Sequence, residues 1–208
     1  MESVQKYLTK LCNKIKARKI VEIGPEPSMT LARDLGKIVD EVAIIDFYEI
    51  NEYKSGWWDL IKSGKVNIKR IDGDACNLSK LISNADIVYA QNVLFDLNYG
   101  NDTRKMLSHS NGGKKPSKNE VSKLEINFDE AERNVIEESC KITPNGHVVL
   151  FKKYFLNVDI DNIIKKYNKK KIDGKILYGN GIDPSYVLLE FPSNELNLYH
   201  FAPVDFNF

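Results

Sequence analysis

Apolar and polar positions along the chain fall into short blocks, and each block has a period. Val4, Leu8, Leu11, Cys12 and Ile15 recur at helical spacing over residues 2–18, with basic residues between them. An apolar run at about 19–24 predicts a buried strand leading into the turn Gly24-Pro-Glu-Pro-Ser28. Ser28 is placed to cap a helix from Met29 to Leu35, which stops at Gly36. Val42–Asp46 predicts a second strand. Asn51–Ile61 reads as a helix with Trp57, Trp58 and Ile61 facing inward. Val66–Ile71 predicts a third strand, Leu78–Ile82 a short helix, and Ile87–Ala90 a fourth strand introduced by Asp86.

The pattern then breaks. Residues 98–128 are mostly polar, which predicts a flexible insertion or lid inside a single domain spanning 1–208. A helix resumes from Asp129 to about Lys141. The turn Thr143-Pro-Asn-Gly146 precedes a fifth strand, His147–Lys152, and a helix is expected at about 158–168, ending in lysines. Two last strands, near 174–179 and 185–191, are joined by Asn180-Gly-Ile-Asp-Pro184 and should pair antiparallel. Alternation of the first five strands with helices implies a parallel sheet. The expected fold is α/β, Rossmann-like, with a seven-stranded mixed sheet and a C-terminal antiparallel hairpin.

Composition narrows the function classes. The net charge is +1, with 42% apolar and 28% charged residues, so no overall basic field recruits nucleic acid or anionic membrane. No apolar run approaches the roughly 20 residues needed to span a bilayer. The first residues lack the basic-then-apolar order of a signal peptide. Cys12, Cys76 and Cys140 are odd in number and scattered, as reduced thiols are. These features together predict a cytoplasmic protein. The histidines 109, 147 and 200 are equally dispersed, so no metal site is expected.

Acids lie at or near the strand ends: Glu22, Asp46, Asp74 and Asp86, with Glu26 in the first turn. In an open parallel sheet, ligands bind outside the carboxyl ends of the strands, so Glu26, Asp46 and Asp74 should share one crevice with Glu22 just below it. A dinucleotide needs glycines where this turn has Glu26 and Met29, and a glutamate there would face phosphate oxygens. No Gly-Lys-Ser/Thr closes the turn either, which removes a phosphate loop of the Walker kind. The acids suit a nucleoside cofactor that carries positive charge, since Coulomb attraction strengthens in a partly desolvated cleft. Asp46 can accept both ribose hydroxyls, Phe47 can pack on adenine, and Asp74 can accept from the adenine amino group beside the Ala75 N–H.

Val21-Glu-Ile-Gly24, Ile45-Asp46, Gly73-Asp74-Ala75 and Thr143-Pro-Asn-Gly146, in that order, resemble the motifs of class I S-adenosylmethionine-dependent methyltransferases. The resemblance covers most of the chain and implies a Rossmann-like three-layer sandwich with S-adenosyl-L-methionine as cofactor. It places Glu22, Gly24, Pro25, Glu26 and Ser28 in the first motif and Asp46 on the ribose. Asp74 and Ala75 fall on the adenine, and Gln91 and Asn92 beside the methyl donor. The family's first motif usually reads E/D-x-G-x-G-x-G. Here Glu26 and Ser28 replace the second and third glycines, and Pro25 and Pro27 stiffen the turn, so the seat of the methionine end differs. The signature for methylating amino groups of nucleic-acid bases is absent: the chain reads Ala90-Gln-Asn-Val-Leu-Phe95.

The expected activity is methyl transfer to a small-molecule acceptor by in-line displacement. Asn92, Asp96 and Tyr99 are the nearest base candidates, and His109 becomes one if the insertion closes over substrate. Aminocarboxypropyl transfer from the same cofactor, methylation of RNA, and a non-catalytic scaffold are the alternatives. Two lysine clusters, at 114–118 and 165–171, read as solvated surface or as phosphate contacts. With a near-zero net charge and no interleaved aromatic motif, nucleic acid is not the expected partner, though the sequence leaves it open. His147, at a turn-to-strand junction, is expected to be exposed. The aromatic tail from Leu196 to Phe208 is expected to cover the edge hairpin or to join two copies as a homodimer.

Overall fold

A computed structural model describes residues 1–25, 30–46, 67–91, 100–177 and 195–207. Helix α1 spans Val4–Ile15. The Ser3 side chain accepts from the Lys6 N–H at its start, and Lys16 closes it in the left-handed region at φ 54°. Strand β1 (Lys19–Ile23), helix α2 (Thr30–Leu35), strand β2 (Glu41–Asp46) and strand β3 (Ile68–Asp72) follow. A 3₁₀ turn, Ala75–Asn77, leads into α3 (Leu78–Leu81) and then β4 (Ile87–Gln91). The chain continues through α4 (Asn101–Ser110), α5 (Lys118–Ile142), β5 (His147–Lys152), α6 (Asp161–Lys166), β6 (Lys169–Leu177) and β7 (Glu195–Pro203).

The strands form one seven-stranded sheet in the order β3-β2-β1-β4-β5-β7-β6. Strands β1 to β5 pair in parallel, and β7 runs antiparallel to both β5 and β6. Covered on both faces, the central strands are nearly all apolar: Val21, Val42, Ala43, Ile44, Ile87, Val88 and Val149 are fully buried. One face packs on α1 and α2, through Leu8, Leu11, Ala32 and Leu35. The other packs on α3, α5 and α6, through Leu78, Val135, Ile136, Cys140 and Ile163.

The expected sandwich, the mixed sheet and the antiparallel pair at its end are present, but three stretches depart from the sequence reading. The polar segment of 98–128 carries regular structure where it is described: α4, and an α5 that starts at Lys118 rather than Asp129. Only Val121 and Phe128 are buried in the first half of α5, too few to reveal a helical period. The start signal was nonetheless in the sequence, as a reciprocal capping box between Ser117 and Glu120.

The second departure is at the lysines of 169–171, expected to end a helix. They begin β6, and the helix before them is only Asp161–Lys166. The third is the aromatic tail, which is itself β7, inserted between β5 and β6. Leu196, Tyr199 and Phe201 are buried there, within the chain's own sheet. The strand expected at 185–191, its turn at 180–184 and the helix at 51–61 lie outside the described residues.

Candidate cofactor crevice

Register fixes the rim of the crevice. Ile23 pairs with Ile45 of β2 and with Ala90 of β4, so β1, β2 and β4 end level with one another. Gly24 then leaves the sheet at φ 60°, a conformation that favours glycine, and its N–H donates to the Ile45 carbonyl at 2.9 Å. Pro25 follows with no N–H to offer. Asp46 ends β2 in register with Asp72 at the end of β3. The Arg70 Nε lies 2.7 Å from Asp72 Oδ1, placing a cation beside this row of acids.

Glu22 pairs with Ile44 and Tyr89, one position below the rim, and is buried. Asp74 stands at the start of the 3₁₀ turn, where its Oδ1 accepts from the Cys76 N–H at 2.8 Å. The carboxylate is therefore held in one pose, and each of its oxygens keeps a second lone pair for a ligand. Burial and the neighbouring Asp74 push the Cys76 thiol up to about 11. Helix α5 packs over this turn, with Cys76 Sγ 3.7 Å from the Ala131 carbonyl. Gly73 sits tight beneath it: a Cβ there would lie 2.5 Å from Leu81 Cδ1.

Of the residues assigned to the crevice, Glu22, Gly24, Pro25, Asp46, Asp74, Ala75 and Gln91 are placed at the carboxyl rim or in the turns leaving it. Glu26, Ser28, Phe47 and Asn92 lie outside the described residues, as do the base candidates Asp96 and Tyr99. His109 is exposed on α4, its Nδ1 3.0 Å from the Lys105 carbonyl. Asp86 belongs to the opposite rim. Its Oδ2 accepts from the N–H groups of Arg18 and Lys19, at 2.7 and 2.8 Å, and so staples the start of β1 to the start of β4. Gly146 joins the same rim, where a Cβ would lie 2.4 Å from the Asp86 carbonyl oxygen.

Two buried polar groups escaped the sequence reading. Lys152, at the carboxyl end of β5, ion-pairs with Glu132 of α5, and both are almost fully buried. The second group is a chain at the other rim. Tyr7 Oη lies 2.7 Å from His200 Nδ1, and His200 Nε2 lies 2.7 Å from His147 Nδ1. His147, expected to be exposed, is buried because β7 brings His200 and the Phe206 ring against it. Burial first, then the Lys169 ammonium, lowers His147 to about 4. Burial first, then His147 and Lys169, lowers His200 to about 3. Lys169 donates to the carbonyls of Thr143 and Gly146, and burial lowers it to about 8. No signal in the sequence ties Tyr7 to His200, which lies 193 residues away.

Known structures superpose on this fold. N-methyltransferase NodS from Bradyrhizobium japonicum WM9, solved in complex with S-adenosyl-l-homocysteine, superposes with a TM-score of 0.56 at 14% identity. The match covers 97% of this chain and 86% of that one. The fold is that of the class I S-adenosylmethionine-dependent methyltransferases. The methyltransferase domain of bacterial CtHen1 gives a TM-score of 0.55 at 11% identity, covering 95% of this chain and 96% of that one. A putative RNA methyltransferase from Pyrococcus horikoshii gives 0.52 at 13%, covering 96% and 83%. No family model and no curated protein sequence matches the chain. The likeness to methyltransferases thus rests on architecture and is one of fold. Among the described residues, no helix is long and apolar enough to cross a membrane. No cluster of metal-ligating side chains occurs among them either.

Proposed function

We propose that the chain is an S-adenosylmethionine-dependent methyltransferase. The observation that carries this reading is the row of acids at the carboxyl rim, beside the left-handed turn at Gly24. The residues present fit the cofactor: Asp46 would take the ribose hydroxyls, and Asp74 the adenine amino group beside the Ala75 N–H. Glu22, at the end of β1, would favour the cationic end. Bound there, S-adenosylmethionine supplies a methyl carbon whose bond to sulfur breaks as a bond to the acceptor heteroatom forms, the acceptor's proton leaving to a base or to water. The protein's share is to hold donor and acceptor in line, which needs few reactive side chains. Gln91, at the end of β4, would line the methyl-donor site.

Calorimetric titration with S-adenosylmethionine and S-adenosylhomocysteine tests the reading. Both should bind, and Asp46→Ala or Asp74→Ala should weaken binding at least tenfold. Failure of the folded protein to bind either ligand would leave the scaffold alternative standing. The replacement of two glycines by Glu26 and Ser28 favours a second reading, transfer of the aminocarboxypropyl group. Mass spectrometry of the spent cofactor separates the two, as S-adenosylhomocysteine or methylthioadenosine.

A further inference from the structure

Beyond β5, the described residues do not fully cover the sheet. The loop of residues 153–160 and the outer strands β6 and β7 enclose an open groove of about 500 Å³. Phe155, Leu156, Val158 and Ile160 form one wall, and Lys171, Asp173, Lys175 and Tyr199 line the β6–β7 side. The groove stands level with the crevice. Gln91 pairs with Phe151, Phe151 with Leu198, and Leu198 with Gly174, so the groove floor at Gly174 shares a row with the end of β4. Three strand spacings separate them, about 14 Å.

The chemistry of this edge differs from that of the rest of the chain. Residues 152–177 hold eight lysines against three aspartates, whereas the whole chain nets +1. Lys152 and Lys169 are buried on internal partners, but Lys165, Lys166, Lys171 and Lys175 are exposed. Aromatic rings stand among them. Lys153 lies 5.2 Å from the Tyr154 ring centroid, Lys166 5.1 Å from that of Tyr167, and Lys175 5.4 Å from that of Phe155. Phe155 is 74% exposed at the groove mouth, an apolar ring the fold itself does not bury. The carboxylates facing these cations are Asp173, 2.8 Å from Lys171, Glu137, 3.0 Å from Lys166, and Asp159 and Asp161 at the far end of the wall. Lys175 gives one donor to Asn197 at 2.5 Å, and an ammonium has three.

We propose that this groove is a track for single-stranded nucleic acid, which delivers the methyl acceptor to the crevice. Lysines spaced along a groove neutralise phosphates, and an exposed ring stacks on a base of any sequence. The openness of the groove suits a polymer that passes through, and the level row from Gly174 to Gln91 lets a strand held there reach the crevice. The role of that strand as acceptor rests on the methyltransferase reading above. The track itself does not.

The experiment is fluorescence anisotropy of a labelled 12-nucleotide single-stranded RNA, with salt varied and no cofactor added. Lys171→Ala/Lys175→Ala should weaken binding and flatten the dependence of log affinity on log salt by about 1.4, or roughly 0.7 per phosphate contact. Phe155→Ala should weaken binding at least about fivefold with little change in that slope. Asp173→Asn should tighten binding, an outcome that loss of folding cannot mimic. Lys114→Ala/Lys115→Ala, in the other basic cluster, should leave binding unchanged. The proposal is overturned if folded wild-type protein does not bind at low salt. It is equally overturned if only the Lys114/Lys115 variant loses binding, or if a duplex of the same sequence binds as tightly. RNA binding without S-adenosylmethionine binding would overturn the methyltransferase reading and leave the track standing.

Discussion

Acid should unfold this protein through two histidines. His147 and His200 are hydrogen-bonded to each other in the interior and held neutral, at about 4 and about 3. One added proton can be accommodated in the hydrogen-bond chain from Tyr7, but two would set N–H against N–H across 2.7 Å. Lys169 adds repulsion to both, and only Asp86 favours charge on His147. Both native values lie below the unfolded value of about 6.5, so the unfolded chain binds more protons as pH falls. Their contribution to stability is therefore complete above about pH 6.5 and is lost as pH falls toward 4. At pH 5 each histidine costs about 2 kcal/mol relative to pH 7, so the pair costs about 4 kcal/mol. That loss is a large share of the 5–15 kcal/mol typical of a domain.

Urea unfolding at pH 7, 6 and 5 measures this directly. His200→Gln should lower the midpoint at pH 7 yet roughly halve the loss between pH 7 and 5, since one titrating group remains. Lys169, at about 8, does not titrate across this interval. A wild-type stability that changes by less than about 1 kcal/mol between pH 7 and 5 would refute the argument. So would an unchanged pH slope in the variant.

Two further predictions concern close backbone approach and the buried ion pair. Gly146→Ala should destabilise by at least about 2 kcal/mol in thermal or urea melts, because its Cβ would meet Asp86 backbone at 2.4 and 2.9 Å. Gly113→Ala, at φ 87° with no atom within 4 Å of the new Cβ, should cost only about 1 kcal/mol. Lys152→Met or Glu132→Gln alone should cost about 3–5 kcal/mol by stranding a buried partner. The double variant Lys152→Met/Glu132→Leu should recover most of that in the same urea melts. Single variants costing under about 1 kcal/mol would refute the pairing.

What the sequence disclosed depended on the range over which its signals act. The central strands were legible because parallel strands buried on both faces leave continuous apolar runs, as at Val42–Ile45 and Val148–Phe151. The acids at their ends followed, since a strand's end and the residue after it are local facts. Helix α5 was shortened because its first half buries so little, although its capping box was readable. Strand β7 was mistaken for a covering tail because order in the sheet is not order in the chain. Nothing local says that Leu196–Phe201 slots between β5 and β6. The same insertion buries His147, whose polar side chain and turn neighbours suggested exposure. The meeting of Lys175 with Phe155 at the groove was also hidden, since it happens only when β6 comes to lie beside the loop after β5, whereas Lys153 and Tyr154, like Lys166 and Tyr167, are neighbours in the chain.

The two rims of the sheet carry different kinds of polar group, and that difference bears on function. At the amino rim every charge named here has an internal use. Asp86 holds two backbone N–H groups, and Lys169 holds the carbonyls that follow α5. At the carboxyl rim, acids accumulate beyond what the strands need. Register sets Asp46 beside Asp72 on the neighbouring strand, and Arg70 pairs with Asp72. Folding alone gives no reason to keep a row of acids there, whereas a ligand with cationic character gains from each of them. In the sequence, Glu26 stands in place of the second of the usual glycines and adds one more acid to the first turn. On the reading proposed above, methyl transfer and aminocarboxypropyl transfer would share that charge and differ in how the first turn seats the methionine end.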